Sequence, residues 1–124
     1  MKSSIARFGE NHQSVASSYN SIGMVQLNLG NYDDAIECFN KAINVLIVVF
    51  DENHPKIADT FANIGVVYIK KGDYETALEY YNRAVAIYEE TYPNDHPKIK
   101  STNDKISEVQ AKLKEQENEQ KNEE

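Results

Sequence analysis

The chain has 124 residues, 27% of them charged and 40% hydrophobic, with a formal net charge of −7 and a sequence pI near 5.0. This length suits one small domain, and the acidic balance argues against nucleic acid, whose phosphates need a basic surface, and against an anionic membrane. Cys38 is the single cysteine, so no intrachain disulfide is available and a reducing, cytoplasmic setting is expected.

Residues 1–10 contain no long apolar stretch of the kind a signal peptide needs. Their Phe8 stands 42 residues before Phe50, which stands 42 before Tyr92. The same interval separates His12, His54 and His96, in the tripeptides Asn-His-Gln, Asn-His-Pro and Asp-His-Pro. A constant spacing of this size predicts stacked structural repeats. Residues 1–10 are then expected to be the tail of a degenerate preceding repeat. Residues 11–52 form a first copy and residues 53–94 a second, matching without gaps at Ala16/Ala58, Ile22/Ile64, Gly23/Gly65, Gly30/Gly72, Ala35/Ala77 and Ala42/Ala84.

Each copy reads as two antiparallel helices. In the first, Val15, Tyr19, Ile22, Met24, Val25 and Leu29 mostly follow helical spacing. Gly30 is expected to end that helix in a left-handed conformation. Asn31 is expected to cap the next, with Asp33 and Asp34 favoured by the dipole in its first turn. Tyr32, Ala35, Ile36, Phe39, Ala42, Ile43 and Leu46 then mark one apolar face. In the second copy Pro55 suits a first helical position, where no donor is lost. Gly72 stops this helix and Asp73 caps the next. Gly23 and Gly65 fall mid-helix, at a cost of about 0.5–1 kcal/mol relative to Ala. Close approach of the facing helix, with Ala35, Ala42, Ala77 and Ala84 small on that side, is the expected compensation. A third copy begins at Asp95, with Pro97 starting a helix whose apolar residues Ile99, Ile106, Val109 and Leu113 carry it to about residue 113. Residues 114–124 are charged and glutamine-rich, and are expected to fray. Asn103 replaces the aromatic seen at Tyr19 and Phe61, so residues 95–113 read as a capping helix.

These residues resemble the tetratricopeptide repeat. The second copy reads Phe61, Ile64-Gly65, Tyr68, Ala77, Tyr81, Ala84, and the first reads Tyr19, Ile22-Gly23, Gln26, Ala35, Phe39, Ala42. Gln26 departs from the family's aromatic. The ordinary repeat is about 34 residues; the 42-residue period with a His-Pro start is similar to the kinesin light chain subtype, over residues 11–113. The implied fold is an all-α solenoid: two antiparallel helix pairs plus a C-terminal capping helix. The implied function is a non-catalytic protein–protein interaction module, an adaptor or scaffold that binds a peptide or a partner helix. Two alternatives stand beside it: a structural subunit of a large assembly, the cytoskeleton being one example, and a regulatory fragment of a longer multidomain protein. Two and a half repeats fall short of the three or so that stacked arrays need, so a homo-oligomer or larger assembly is expected. The protein is not expected to be an enzyme, and no cofactor is expected.

The resemblance implies a groove lined by the first helix of each pair: Ser17, Asn20, Ser21, Met24, Leu27 and Asn28, then Asp59, Ala62, Asn63, Val66, Ile69 and Lys70, with Ser101, Asp104, Lys105 and Glu108 from the last helix. Asn63 matches a position whose amide holds a peptide backbone by donating and accepting. Met24 and Val66 stand where a chaperone-tail clamp would have Asn. The histidines, one per repeat and so roughly 10 Å apart, are too far apart to share a metal with bonds near 2 Å; a capping or loop role is expected. Cys38 has no surrounding nucleophile motif. The oddest segment is residues 45–50, apolar on every side, where Ile47, Val48 and Val49 replace Glu89, Glu90 and Thr91 and Phe50 follows. Such a helix expects burial all round. Either residues 1–10 fold over it through Ile5 and Phe8, or it meets another chain or copy.

Overall fold

The computed structural model describes the backbone of residues 2–50 and 53–123 and the side chains of residues 14–50 and 53–118. The described chain is all helix: α1 (Lys2–Leu29), α2 (Tyr32–Val49), α3 (Pro55–Lys71), α4 (Tyr74–Thr91) and α5 (Pro97–Glu123). Neighbours in sequence pack together, α1 on α2, α2 on α3, α3 on α4 and α4 on α5, and α1 also touches α3. This is the all-α solenoid expected, two helix pairs followed by a single helix.

The turns follow their residues. Gly30 and Gly72 take φ of +87° and +89°, the left-handed conformation that glycine adopts without a Cβ clash. Each then lets the chain fold back, with Gly72 N–H donating to the Ile69 carbonyl and Asp73 N–H to that of Tyr68. Asp73 caps α4 by accepting from Thr76 N–H at 3.3 Å, and the Thr76 hydroxyl donates to its other oxygen at 2.9 Å. Asn31 differs. It occupies the cap position of α2 without a side-chain cap bond, because its amide instead donates to Gln26 Oε1 at 2.8 Å. Thr76 has no counterpart after Asn31, where Asp34 stands. Gln26, the departure from the family pattern, thus secures the turn.

Two helices are longer than the repeat pattern predicts. α1 runs unbroken from Lys2, where a turn is expected near residue 12. At the equivalent places Pro55 and Pro97 start new helices; here Gln13 stands instead, and nothing removes the backbone donor or restricts the preceding residue. α5 likewise passes residue 113 to Glu123. Lys114 occupies the place of Gly30 and Gly72, and Lys, Glu and Gln are good helix formers. The expected cover by Ile5 and Phe8, and the setting of His12, concern side chains outside the described residues.

The core forms in the slots between helices. Phe39, Leu46, Ile57, Ile64 and Val67 are at most 2% exposed. Alanines 35, 42, 58, 77 and 84 are fully buried, which lets the helices approach closely. The mid-helix glycines meet aromatic rings. A Cβ on Gly23 would lie 2.7 Å from the Phe39 ring, and one on Gly65 would lie 2.9 Å from that of Tyr81. The compensation for each glycine is therefore a ring seated on its backbone, more than the flanking alanines.

His54 and His96 are caps with a platform. Nδ1 of His54 accepts from Lys56 N–H at 3.1 Å, and Nδ1 of His96 from Lys98 N–H at 3.2 Å. Phe50 stacks on His54 with centroids 3.8 Å apart, and Tyr92 on His96 at 3.9 Å. The ring-and-cap pair explains why an aromatic precedes His54 and His96 by four residues; His12 lies inside α1 and starts no helix. Replacing His54 by Ala should cost about 1–2 kcal/mol of unfolding free energy, from the lost cap and stack. His54→Asn should recover the cap share, and urea denaturation of the three proteins measures both.

Candidate functional site

The first helices of the pairs lie side by side, and polar bonds lace them into one layer. The Thr60 hydroxyl donates to Asn20 Oδ1 at 3.3 Å, joining α3 to α1. Lys98 Nζ donates to both oxygens of Asp59, at 3.0 and 3.2 Å, joining α5 to α3. This layer carries the residues expected to line a groove.

Its residues divide by environment. Met24 is 41% exposed, Lys70, Ser17, Ser21 and Asn28 are exposed, and Asn63, Val66, Ala62 and Ile69 are half-buried. Asn20 is half-buried and engaged by Thr60. On α5, Ser101, Asp104, Lys105 and Glu108 are exposed, with Lys105 near Glu108 at 3.7 Å. Leu27 needs correction. It is only 4% exposed and belongs to the core, because its place near the end of α1 turns it toward the neighbouring helices, so it offers a partner no surface.

Asp59 also differs from a free groove carboxylate. Besides Lys98, it accepts a short hydrogen bond from the Tyr88 hydroxyl. Tyr88 is 3% exposed; burial, then the bond to Asp59 and its charge, push the phenol well above its ordinary range. Asp59 is thus part of a clasp joining α3, α4 and α5. Sequence reading missed this clasp, though a signal existed: Tyr88 and Asp59 replace Leu46 and Ser17 of the first copy together.

The apolar segment at the end of α2 is covered only in part. Val48 is 74% and Ile47 39% exposed, whereas Val49 and Phe50 are half-buried and Phe50 is engaged by His54. Cys38 is half-buried. Among the described residues, no group of three or more His, Cys, Asp or Glu side chains is placed to hold a metal, and no helix is long and apolar enough to cross a membrane.

The tetratricopeptide repeat family model matches residues 5–90, and the chain belongs to that family. No curated protein matches. Among solved structures, a substituted form of a Podosopora anserina chain described as a kinesin light chain with nearly identical TPR-like repeats is similar. It has 17% identity and a TM-score of 0.70, over 84% of this chain and 49% of that one. A second structure of that protein gives 20% identity and a TM-score of 0.67, over 82% and 48%. The fold is therefore of the kinesin light chain-like repeat type, and the chain spans about half the length of the solved structures it matches.

Two outcomes follow from the clasp and from Tyr81. Tyr88→Phe removes a hydrogen bond to a charged acceptor and should cost about 1.5–3 kcal/mol in urea denaturation. Tyr81 has a buried hydroxyl with no hydrogen-bond partner, and burial, aided by Glu108, pushes its phenol up to about 12. Tyrosine ionises near 10 when unfolded, so the unfolded state releases its proton first. The contribution of Tyr81 to stability is full below about pH 10 and is lost as pH rises from there toward about 12. Tyr81→Phe should flatten this fall between about pH 9 and about pH 11 while leaving neutral-pH stability equal or higher.

Proposed function

We propose that the chain is a non-catalytic protein–protein interaction module, an adaptor or scaffold that receives an extended segment or helix of a partner along the layer of α1, α3 and α5. The observation that carries this reading is the continuous layer itself. It keeps Met24, Asn63, Val66 and Lys70 accessible while its polar bonds hold the helices in fixed relation. A preorganised surface loses little entropy on binding. Asn63 supplies donor and acceptor for a peptide backbone, Met24 and Val66 supply adaptable apolar contact, and Lys70 supplies a charge for an acidic or carboxylate-bearing partner. The lone, half-buried Cys38 suits a reducing compartment such as the cytoplasm.

Exposure of Val48 and Ile47 favours a second reading, a structural contact through the outer face of α2 in a larger assembly. The two readings separate by mutation. Affinity capture with quantitative mass spectrometry should show the bound partner weakened about five- to tenfold by Asn63→Ala, the loss of one backbone-directed amide, and unchanged by Val48→Glu. Loss with Val48→Glu alone moves the interface to α2. If neither substitution alters the captured proteins, both surfaces are excluded.

A further inference from the structure

One face of α1 is built as an interface and is uncovered among the described residues. The 42-residue period gives each of its positions a twin in α3 and in α5. Val15, Ser18, Ile22 and Val25 correspond to Ile57, Thr60, Ile64 and Val67, and to Ile99, Thr102, Ile106 and Val109. The α3 set is at most 1% exposed, and in α5 Ile99, Thr102 and Val109 are at most 7%. In α1 the same positions are open: Val15 41%, Ile22 46% and Val25 54%, followed by Leu29 at 68%. Ala16 and Gly23, which face α2, are buried in α1 as their twins Ala58 and Gly65 are in α3. α3 packs on helices before and after it, whereas α1 packs on α2 and the edge of α3. The difference isolates the side that, in α3, the preceding helix covers.

Charge and spacing select the occupant. Between Glu10 and Asp33 the sequence has no Asp, Glu, Lys or Arg, although 27% of the chain is charged. α3 carries Lys56, Asp59, Lys70 and Lys71 over a similar length. Interface cores are depleted in charge, and a neutral face attracts neither a basic nor an acidic partner. Two copies of a chain with net charge −7 repel overall, and least where neither contact surface carries charge, a condition this face meets. Residues 15, 18, 22, 25 and 29 alternate steps of three and four, the spacing of a helix–helix seam. Ile22 lies midway, seven residues from both Val15 and Leu29. A two-fold axis at Ile22 therefore sets Val15 of one copy against Leu29 of the other, a self-complementary contact.

We propose that the chain forms a two-fold dimer in which α1 packs antiparallel on α1 of a second copy, through Val15, Ile22, Val25 and Leu29. This stands apart from the peptide-binding reading, since helical periodicity sets Met24 on the opposite side of α1 from Val15.

Sedimentation equilibrium of the full chain, from about 1 to about 100 µM, tests it. The wild type should approach twice its 14.1 kDa, and Ile22→Glu and Val25→Glu should each return it to a single mass with an unchanged helical circular dichroism spectrum. Should Ile22→Glu disturb folding, Val25→Glu, at the more exposed position, decides. Val15→Lys and Leu29→Glu should each weaken the dimer at least about tenfold, and the two together in one chain should restore it, because each lysine then faces a glutamate of the other copy. A wild-type monomer across the whole range, or a dimer untouched by both Glu substitutions, overturns the proposal. Failure of the paired substitution to restore association overturns the antiparallel arrangement.

Discussion

The contact on which the rest of the structure depends is an aromatic ring seated on a bare stretch of helix backbone. Phe39 covers Gly23 and Tyr81 covers Gly65, so closely that a single added carbon would lie within 3 Å of the ring. Nothing smaller than a ring would fill the slot, and nothing larger than glycine would leave it open. Glycine weakens a helix interior by about 0.5–1 kcal/mol, and the burial of a whole aromatic side chain, worth about 1.5–3 kcal/mol, outweighs that. The contact fixes both the separation and the rotation of α1 against α2 and of α3 against α4. The two pairs are thereby made alike, and only like units stack with one recurring interface. In α5 the corresponding position is Ser107, which is exposed, and no further helix follows among the described residues to place a ring there.

Once the pairs are fixed, the opposite flank of each first helix meets the preceding pair. There the pattern is apolar, Thr, apolar, apolar: Ile57, Thr60, Ile64, Val67 in α3 and Ile99, Thr102, Ile106, Val109 in α5. The threonines are buried without cost in unpaired hydroxyls: Thr102 donates to the Lys98 carbonyl one turn back at 2.7 Å, and Thr60 shares its one proton between the Lys56 carbonyl at 3.0 Å and Asn20 Oδ1 at 3.3 Å. The second junction adds the Tyr88–Asp59–Lys98 clasp, which the first lacks. Among the described residues, the open side of α5 is polar and that of α1 is apolar and uncharged.

Most of this fold is legible in the sequence because its signals are local and recur. Gly30, Gly72, Asp73, Pro55 and Pro97 each act through their own backbone or the next turn, and each appears at its expected place. What sequence reading misplaces depends on absences or on distant partners. The long reach of α1 and α5 follows from a missing proline at residue 13 and a missing glycine at residue 114, and a missing signal is harder to weigh than a present one. Leu27 sits on the groove side of a helical wheel, but its burial is set by a neighbouring helix that the wheel does not contain. The clasp joins residues 29 and 39 apart in sequence, and Val49 and Phe50, expected to be covered by residues 1–10 or by another chain, are half-buried within the described residues, Phe50 against a histidine of the next repeat. Which of the positions expected to line a groove are accessible and which are engaged was not legible in the sequence.

The ring-on-glycine contact is tested most directly by a double-mutant cycle on stability. The single changes are Gly65→Ala and Tyr81→Leu, and the cycle is completed by both together. Alanine alone gains helix propensity of about 1 kcal/mol but forces a buried ring aside, for which overpacking costs about 1–3 kcal/mol. Leucine alone leaves a gap. Together the methyl enters space the ring has vacated, so the account predicts that Gly65→Ala is destabilising beside tyrosine and stabilising beside leucine, with a coupling of about 1–3 kcal/mol. Additive effects, with Gly65→Ala stabilising in both backgrounds, would contradict it and would mean that the ring and the glycine do not set the packing of the pair.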